Sequence, residues 1–216
     1  MTDSCLAQLG DVYLDLCTKV KPGDVLAFAT CDLPAHVVKL ATHSCYVHVA
    51  IVLSVTTNND HPDPVLIAES HINMTLPSEG TGKKQLGVQF QRLSQRMVGC
   101  NGTVWWAALK KPLSKGGLGK MRSWLRDVET NAVPYDFYQA TKVGIGALDK
   151  VGLGNHPDFK ALFCSELVTR ALQIAGCIDG AVNPSDQTPG DVMGFDCLKD
   201  PVLLKAGAKE RIILYT

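Results

Sequence analysis

Residues 46–54 read Tyr46-Val47-His48-Val49-Ala50-Ile51-Val52-Leu53-Ser54. β-Branched and apolar side chains fill both alternating faces of this run, which predicts a strand. One residue breaks the pattern. His48 is ionisable and sits near the start of an otherwise apolar segment, where such a side chain is costly unless it has a partner or a cleft.

Working outward, the polar loop TTNNDHPDP is followed by VLIAES at 65–70, and the two runs predict a long-loop hairpin. Upstream, Lys21-Pro22-Gly23-Asp24 is turn chemistry leading into Val25-Leu26-Ala27-Phe28, a short buried strand. Downstream, strands are expected at 87–93 (GVQFQRL) and 103–109 (TVWWAAL). The second half changes period. Between Lys115 and Asn131, Leu118, Met121, Trp124, Leu125 and Val128 form the stripe of an amphipathic helix. Residues 161–175 (ALFCSELVTRALQIA) repeat that spacing with Leu167, Val168, Ala171, Leu172 and Ala175, and Gly176 follows as a C-terminal cap. The glycine-rich stretch 144–157 reads as a loop, and Ile212-Ile213-Leu214-Tyr215 as a returning last strand. Strands first and helices later predict an α+β fold, an antiparallel sheet with helices gathered on one side. The 216 residues read as a single domain, 1–216, with insertions near 71–86 and 138–160.

Composition narrows the function classes. Lys plus Arg and Asp plus Glu each number 21, so the net charge is zero and no basic excess exists to neutralise phosphates; nucleic acid is not an expected partner. The N-terminus MTDSCLAQLGDVYLDLC carries two aspartates within its first eleven residues and lacks the basic-then-apolar pattern of a secretory signal. No run approaches the roughly 18 apolar residues of a membrane span. A soluble, cytoplasmic protein is expected. The eight cysteines, at 5, 17, 31, 45, 100, 164, 177 and 197, show no CxxC spacing and read as reduced thiols.

Two cofactor readings fail on spacing. GGLGK at 116–120 superficially matches a phosphate-binding loop, but Ser114 and Met121 stand where that loop needs glycine and a hydroxyl residue. Cys31, His36, His43, Cys45 and His48 fall within eighteen residues, yet match no standard finger or ribbon. Neither a metal nor an organic cofactor is expected.

Cys164 opens the strongest predicted helix, in Phe163-Cys164-Ser165-Glu166. The positive end of a helix lowers a thiol pKa, and free N–H groups there can bind an oxyanion. A nucleophile needs a base, and His48 is the histidine of choice. If the hairpin closes near residues 55–62, opposed positions sum to about 117 by that geometry, which sets Glu69 across from His48. A shift of two residues brings His71 or Asn73 into that place instead. Cys164, His48 and a carboxylate would make a nucleophile, base and orienter.

The set GDVLAF at 23–28, Tyr46-Val47-His48-Val49-Ala50-Ile51, Ala68-Glu69-Ser70, Pro134-Tyr135-Asp136-Phe137 and Phe163-Cys164-Ser165-Glu166-Leu167-Val168 resembles the circularly permuted NlpC-like cysteine hydrolases. These are the YiiX-type branch of the papain-like fold, which also contains the lecithin retinol acyltransferase relatives. His48 precedes Cys164, which is the permuted order. The resemblance implies that Cys164 attacks a carbonyl, His48 acts as base and Glu69 orients it. It places Tyr135, and Ser165 at the helix start, on the oxyanion and substrate side. The implied activity is cleavage of an amide bond, as a peptidase or amidase, through an acyl-enzyme. Lipid acyl transfer and thioester hydrolysis would use the same residues, and a binding protein that keeps the fold without a catalytic thiol is the non-enzymatic alternative. A small peptide, amide or lipid-like molecule is the expected partner.

Overall fold

The computed structural model describes residues 2–29, 44–56, 63–71, 75–131 and 160–207. Its elements run α1 (Thr2–Lys19), β1 (Val25–Ala29), β2 (His48–Val55), β3 (Val65–His71), β4 (Gly87–Arg92), α2 (Leu93–Gly99), β5 (Thr103–Ala107), α3 (Lys115–Thr130), α4 (Lys160–Ala175), a 3-10 turn (Pro184–Asp186), α5 (Pro189–Met193) and β6 (Val202–Lys205). The six strands form one antiparallel sheet in the order β4-β3-β2-β1-β5-β6. The α+β class and the expected hairpin are both present.

Entry into the sheet is fixed by Gly23 and Asp24. Gly23 has φ 93°, which a side chain disfavours, and its N–H donates to the Val52 carbonyl. The buried Asp24 carboxylate accepts from the backbone N–H groups of Lys21 and Leu109 and from the Trp106 indole. The aspartate of the GDV motif is thus a clamp joining the start of β1 to the end of β5.

Two cores lie on opposite faces of the sheet. Val25, Ala27, Val49, Ile51, Leu53 and Ala68 meet Met121 and Leu125 of α3 and Leu167, Val168, Ala171 and Leu172 of α4. On the other face Leu26, Phe28, Ala50, Val52 and Ile67 meet Tyr13 and Leu16 of α1 and Leu93 and Met97 of α2. Helices therefore cover both faces, not one as expected. The physical reason is already in β2: a strand apolar on both sides needs a layer on each, since a fully buried Leu or Val side chain contributes about 1.5–3 kcal/mol.

Three further differences concern elements. α1, kinked at Gly10, and the short α2 were not expected. The last described strand is Val202–Lys205, paired with β5, whereas 212–215 lie outside the described residues, as do 144–157. Finally, α4 begins at Lys160, so Cys164 is its fifth residue.

Candidate active site

His48 opens β2 and is buried against Phe28 of the neighbouring β1, ring centroids 5.6 Å apart. Its Nε2 lies 2.7 Å from Oε2 of Glu69, which is only 1% exposed. The other Glu69 oxygen, Oε1, is 2.6 Å from Nε of Arg96 on α2. That contact is an ion pair by distance, but the Nε–H is not aligned along it as a hydrogen bond. The guanidinium also lies 5.7 Å from the centre of the Phe28 ring. A neutral polar residue would not need this cation; a buried carboxylate does.

The hairpin register differs from the expected one. Val55 pairs with Val65 and Ser54 with Leu66, an index sum of 120, and a bulge before Val52 reduces the sum to 119 for Val52 with Ile67 and Ile51 with Ala68. Continued to the strand start, this places His71 across from His48, and the two rings meet edge to face at 5.1 Å. Glu69 lies diagonally on the same face and still reaches Nε2. The expectation of direct opposition was off by two residues because the loop closes later. Asn73, the other alternative, lies outside the described residues.

Cys164 comes from the opposite layer. It packs in the core with Val49, Ile51 and Leu167, and is 0% exposed. By alternation along β2, His48 shares the face of Ala50 and Val52, yet Cys164 lies near enough to the His48 side chain to raise its pKa. They can meet because His48 is the first residue of its strand, where the sheet no longer separates the two layers. A bond from Nε2–H to Glu69 leaves Nδ1 as the ring nitrogen available to a thiol. Nδ1 is buried and has no aligned hydrogen-bond partner among the described residues.

The electrostatics follow from this row of groups. Burial disfavours a charged His48, but the neighbouring Cys164 thiol and then Glu69 outweigh it and raise the imidazole from 6.5 to about 9. Burial likewise pushes the Glu69 carboxyl up, and Arg96 first, with His48 and His71 after it, holds it down to about 2. The site thus favours an imidazolium on an ionised carboxylate. Beside it Glu69, His71, Thr75, Gln89, Gln91 and Arg96 help line a polar cavity of about 10 Å³, the size of one water.

Ser165 stands apart from this group. Its hydroxyl donates to the Gln187 carbonyl, tying α4 to the segment before α5. The backbone N–H groups of Cys164 and Ser165 lie beyond the four unsatisfied donors of a helix start, so neither supplies an oxyanion donor. The expected helix-start role fails because α4 begins earlier. Tyr135 lies outside the described residues. Arg96 was missed altogether, although Leu93 and Met97, four residues apart and both buried, carry the helical signal around it.

No protein-family model matches the chain, and no curated protein matches it by sequence. Among solved structures, the metalloprotein YiiX of Escherichia coli O157:H7 is similar, with a TM-score of 0.52 and 14% identity. The match covers 86% of this chain and 98% of that one. The chain has a YiiX-like fold. At that identity the likeness extends to the fold alone.

Proposed function

We propose that this protein is a cysteine hydrolase that cleaves an amide bond, with Cys164 as nucleophile, His48 as base and Glu69 as the group that orients His48. The observation that carries this reading is the Nε2–Glu69 bond, which fixes the orientation of the ring and stabilises the imidazolium that holds the thiol proton beside Cys164. The Cys164 sulfur bonds to the carbonyl carbon while His48 holds the thiol proton, then gives it to the departing amine. A water molecule, deprotonated by the same ring, attacks the acyl thioester and restores the thiol. Glu69 stays ionised throughout, held so by Arg96.

The fold neighbour is described as a metalloprotein. A metal does not fit the residues here: both Glu69 oxygens already face cationic groups, and the described residues hold no cluster of three His, Cys, Asp or Glu able to grip an ion. No step is routed through one. A small peptide or amide is the substrate class proposed, with lipid acyl transfer through the same acyl-enzyme as the variant chemistry. Among the described residues no helix is long and apolar enough to cross a membrane.

One observation favours a second reading, a binding protein that keeps the fold without turnover: Cys164 is completely buried, as a small core hydrophobe would be. Timed iodoacetamide labelling with peptide mapping separates the two. The hydrolase reading expects Cys164 to label fastest of the eight cysteines near neutral pH and His48→Ala to suppress that labelling. If Cys164 labels only after denaturation, the catalytic assignment is wrong.

A further inference from the structure

Away from that site, at the far end of α4, Cys177 and Cys197 line one cavity of about 510 Å³ with Lys110, Leu113, Ser114 and Asp196. Its size lies within the roughly 300–1,000 Å³ of small-molecule sites, so a soluble thiol reagent has room to enter. Both cysteines are free thiols, half-buried, and both pack against the core shared by α3 and α4.

Their backbones are fixed. Gly176, with φ 78°, reverses the chain after α4, and the Cys177 N–H donates to the Leu172 carbonyl at 2.9 Å. The Cys197 carbonyl accepts from the Lys110 N–H at 2.8 Å, and Leu198 bridges to Leu109. The two thiols are neighbours in charge as well: burial pushes Cys197 up to about 11, with the Cys177 thiol adding to that rise and Lys110 opposing it. High thiol pKa values slow exchange and suit a clamp set by the ambient redox poise better than a fast sensor.

We propose that Cys177 and Cys197 form a reversible disulfide that fastens the C-terminal end of α4 to the turn before β6. The oxidant is a low-molecular-weight disulfide such as glutathione disulfide. The thiolate of one cysteine attacks it, giving a mixed disulfide and one free glutathione; the second thiolate displaces the other glutathione. Two S–H bonds are lost, one protein S–S bond forms, and the reagent is reduced to two thiols. Because α4 rises about 1.5 Å per residue, the eleven positions from Cys164 to Ala175, its last residue, put the end of the helix roughly 16 Å along its axis from the candidate nucleophile.

The test uses the full chain equilibrated with stepped ratios of glutathione disulfide to glutathione, acid-quenched, alkylated and cleaved. Both cysteines fall in one tryptic peptide, Ala171–Lys199, so cleavage at the intervening aspartates is needed to display the link. The expected result is a cross-linked pair, lighter by two hydrogens, formed at a ratio where the other six cysteines remain alkylatable. Cys177→Ser should leave Cys197 as a glutathione adduct, and the linked protein should unfold at a higher urea midpoint than the reduced one. Independent glutathionylation of both residues with no link, or pairing of either with another cysteine, overturns the proposal. Cys164→Ala should form the same link, so failure here and failure of the hydrolase reading are distinguishable.

Discussion

Replacing Glu69 by glutamine removes one negative charge from a buried row that runs Arg96, Glu69, His48, without changing the shape of the side chain. Removing one partner of a buried ion pair costs about 3–5 kcal/mol, because the remaining charge is left in a poor solvent. Here the Arg96 side chain is 17% exposed and can turn outward, and His48 can give up its proton, so the loss should fall near the bottom of that range, about 3 kcal/mol. The pH dependence identifies the cause. Glu69 is lowered from 4.5 to about 2, so its contribution is complete above pH 4.5 and disappears as the pH falls through 2. His48 is raised from 6.5 to about 9, so its contribution is complete below pH 6.5 and disappears as the pH rises through 9. The difference in unfolding free energy between wild type and Glu69→Gln should therefore hold a plateau above pH 4.5 and fall as the pH drops through 2. At the alkaline end it should decline only by the share of the His48 shift that Glu69 supplies, because Cys164 is the larger cause of that shift and stays in the variant. Urea unfolding of both proteins across the pH range measures it. A gap below about 1 kcal/mol on that plateau, or one that is constant over the whole range, refutes the ion-pair account, because a merely steric loss has no such profile.

Three other substitutions probe the frame that holds this site. A Cβ at Gly117 would overlap the Ala175 carbonyl oxygen, so Gly117→Ala should push α3 off the end of α4 and cost about 1–3 kcal/mol; Gly119→Ala, with open space at the same helix, should be neutral or stabilising by up to about 1 kcal/mol in a paired thermal-unfolding comparison. Asp24→Asn turns one acceptor into a donor that faces either the Leu109 N–H or both the Lys21 N–H and the Trp106 indole, and each buried donor left unmatched costs about 1–3 kcal/mol; a melting temperature equal to wild type would contradict the clamp.

Where a segment's period was long and uninterrupted, its sequence was enough: β2, β3, β4 and β5, and the helices α3 and α4, lie within a residue or two of their expected places. α1 escaped because its polar N-terminal half and Gly10 break the pattern, although Tyr13, Leu16 and Val20 carry the three- and four-residue spacing that buries them. α2 escaped because β4 runs into it at Arg92 with no turn residue to mark the change of period. That loss mattered most, since α2 carries Arg96. A helix of seven residues makes its case only by tertiary contacts, and Lys205 from distant β6 supplies two of them, donating to the Met97 and Cys100 carbonyls at its end.

The pairing of His48 with Glu69 survived an error in register because of parity. In an antiparallel pair, positions whose index sums differ by two share a face, whereas a difference of one moves the whole set to the other side. The expected sum of 117 and the observed 119 differ by two, so the carboxylate stayed on the face of the imidazole and only its distance changed from direct to diagonal. Near the turn the sum is 120, and with that value His48 would share a face with Ser70 and leave Glu69 behind the sheet. The extra residue at Leu53 restores the odd sum: Leu53 joins the core of Val49 and Ile51, while Val55 returns to the face of Val52. The bulge between Val52 and Ser54, at the end of an apolar run, is thus what brings the carboxylate to the histidine.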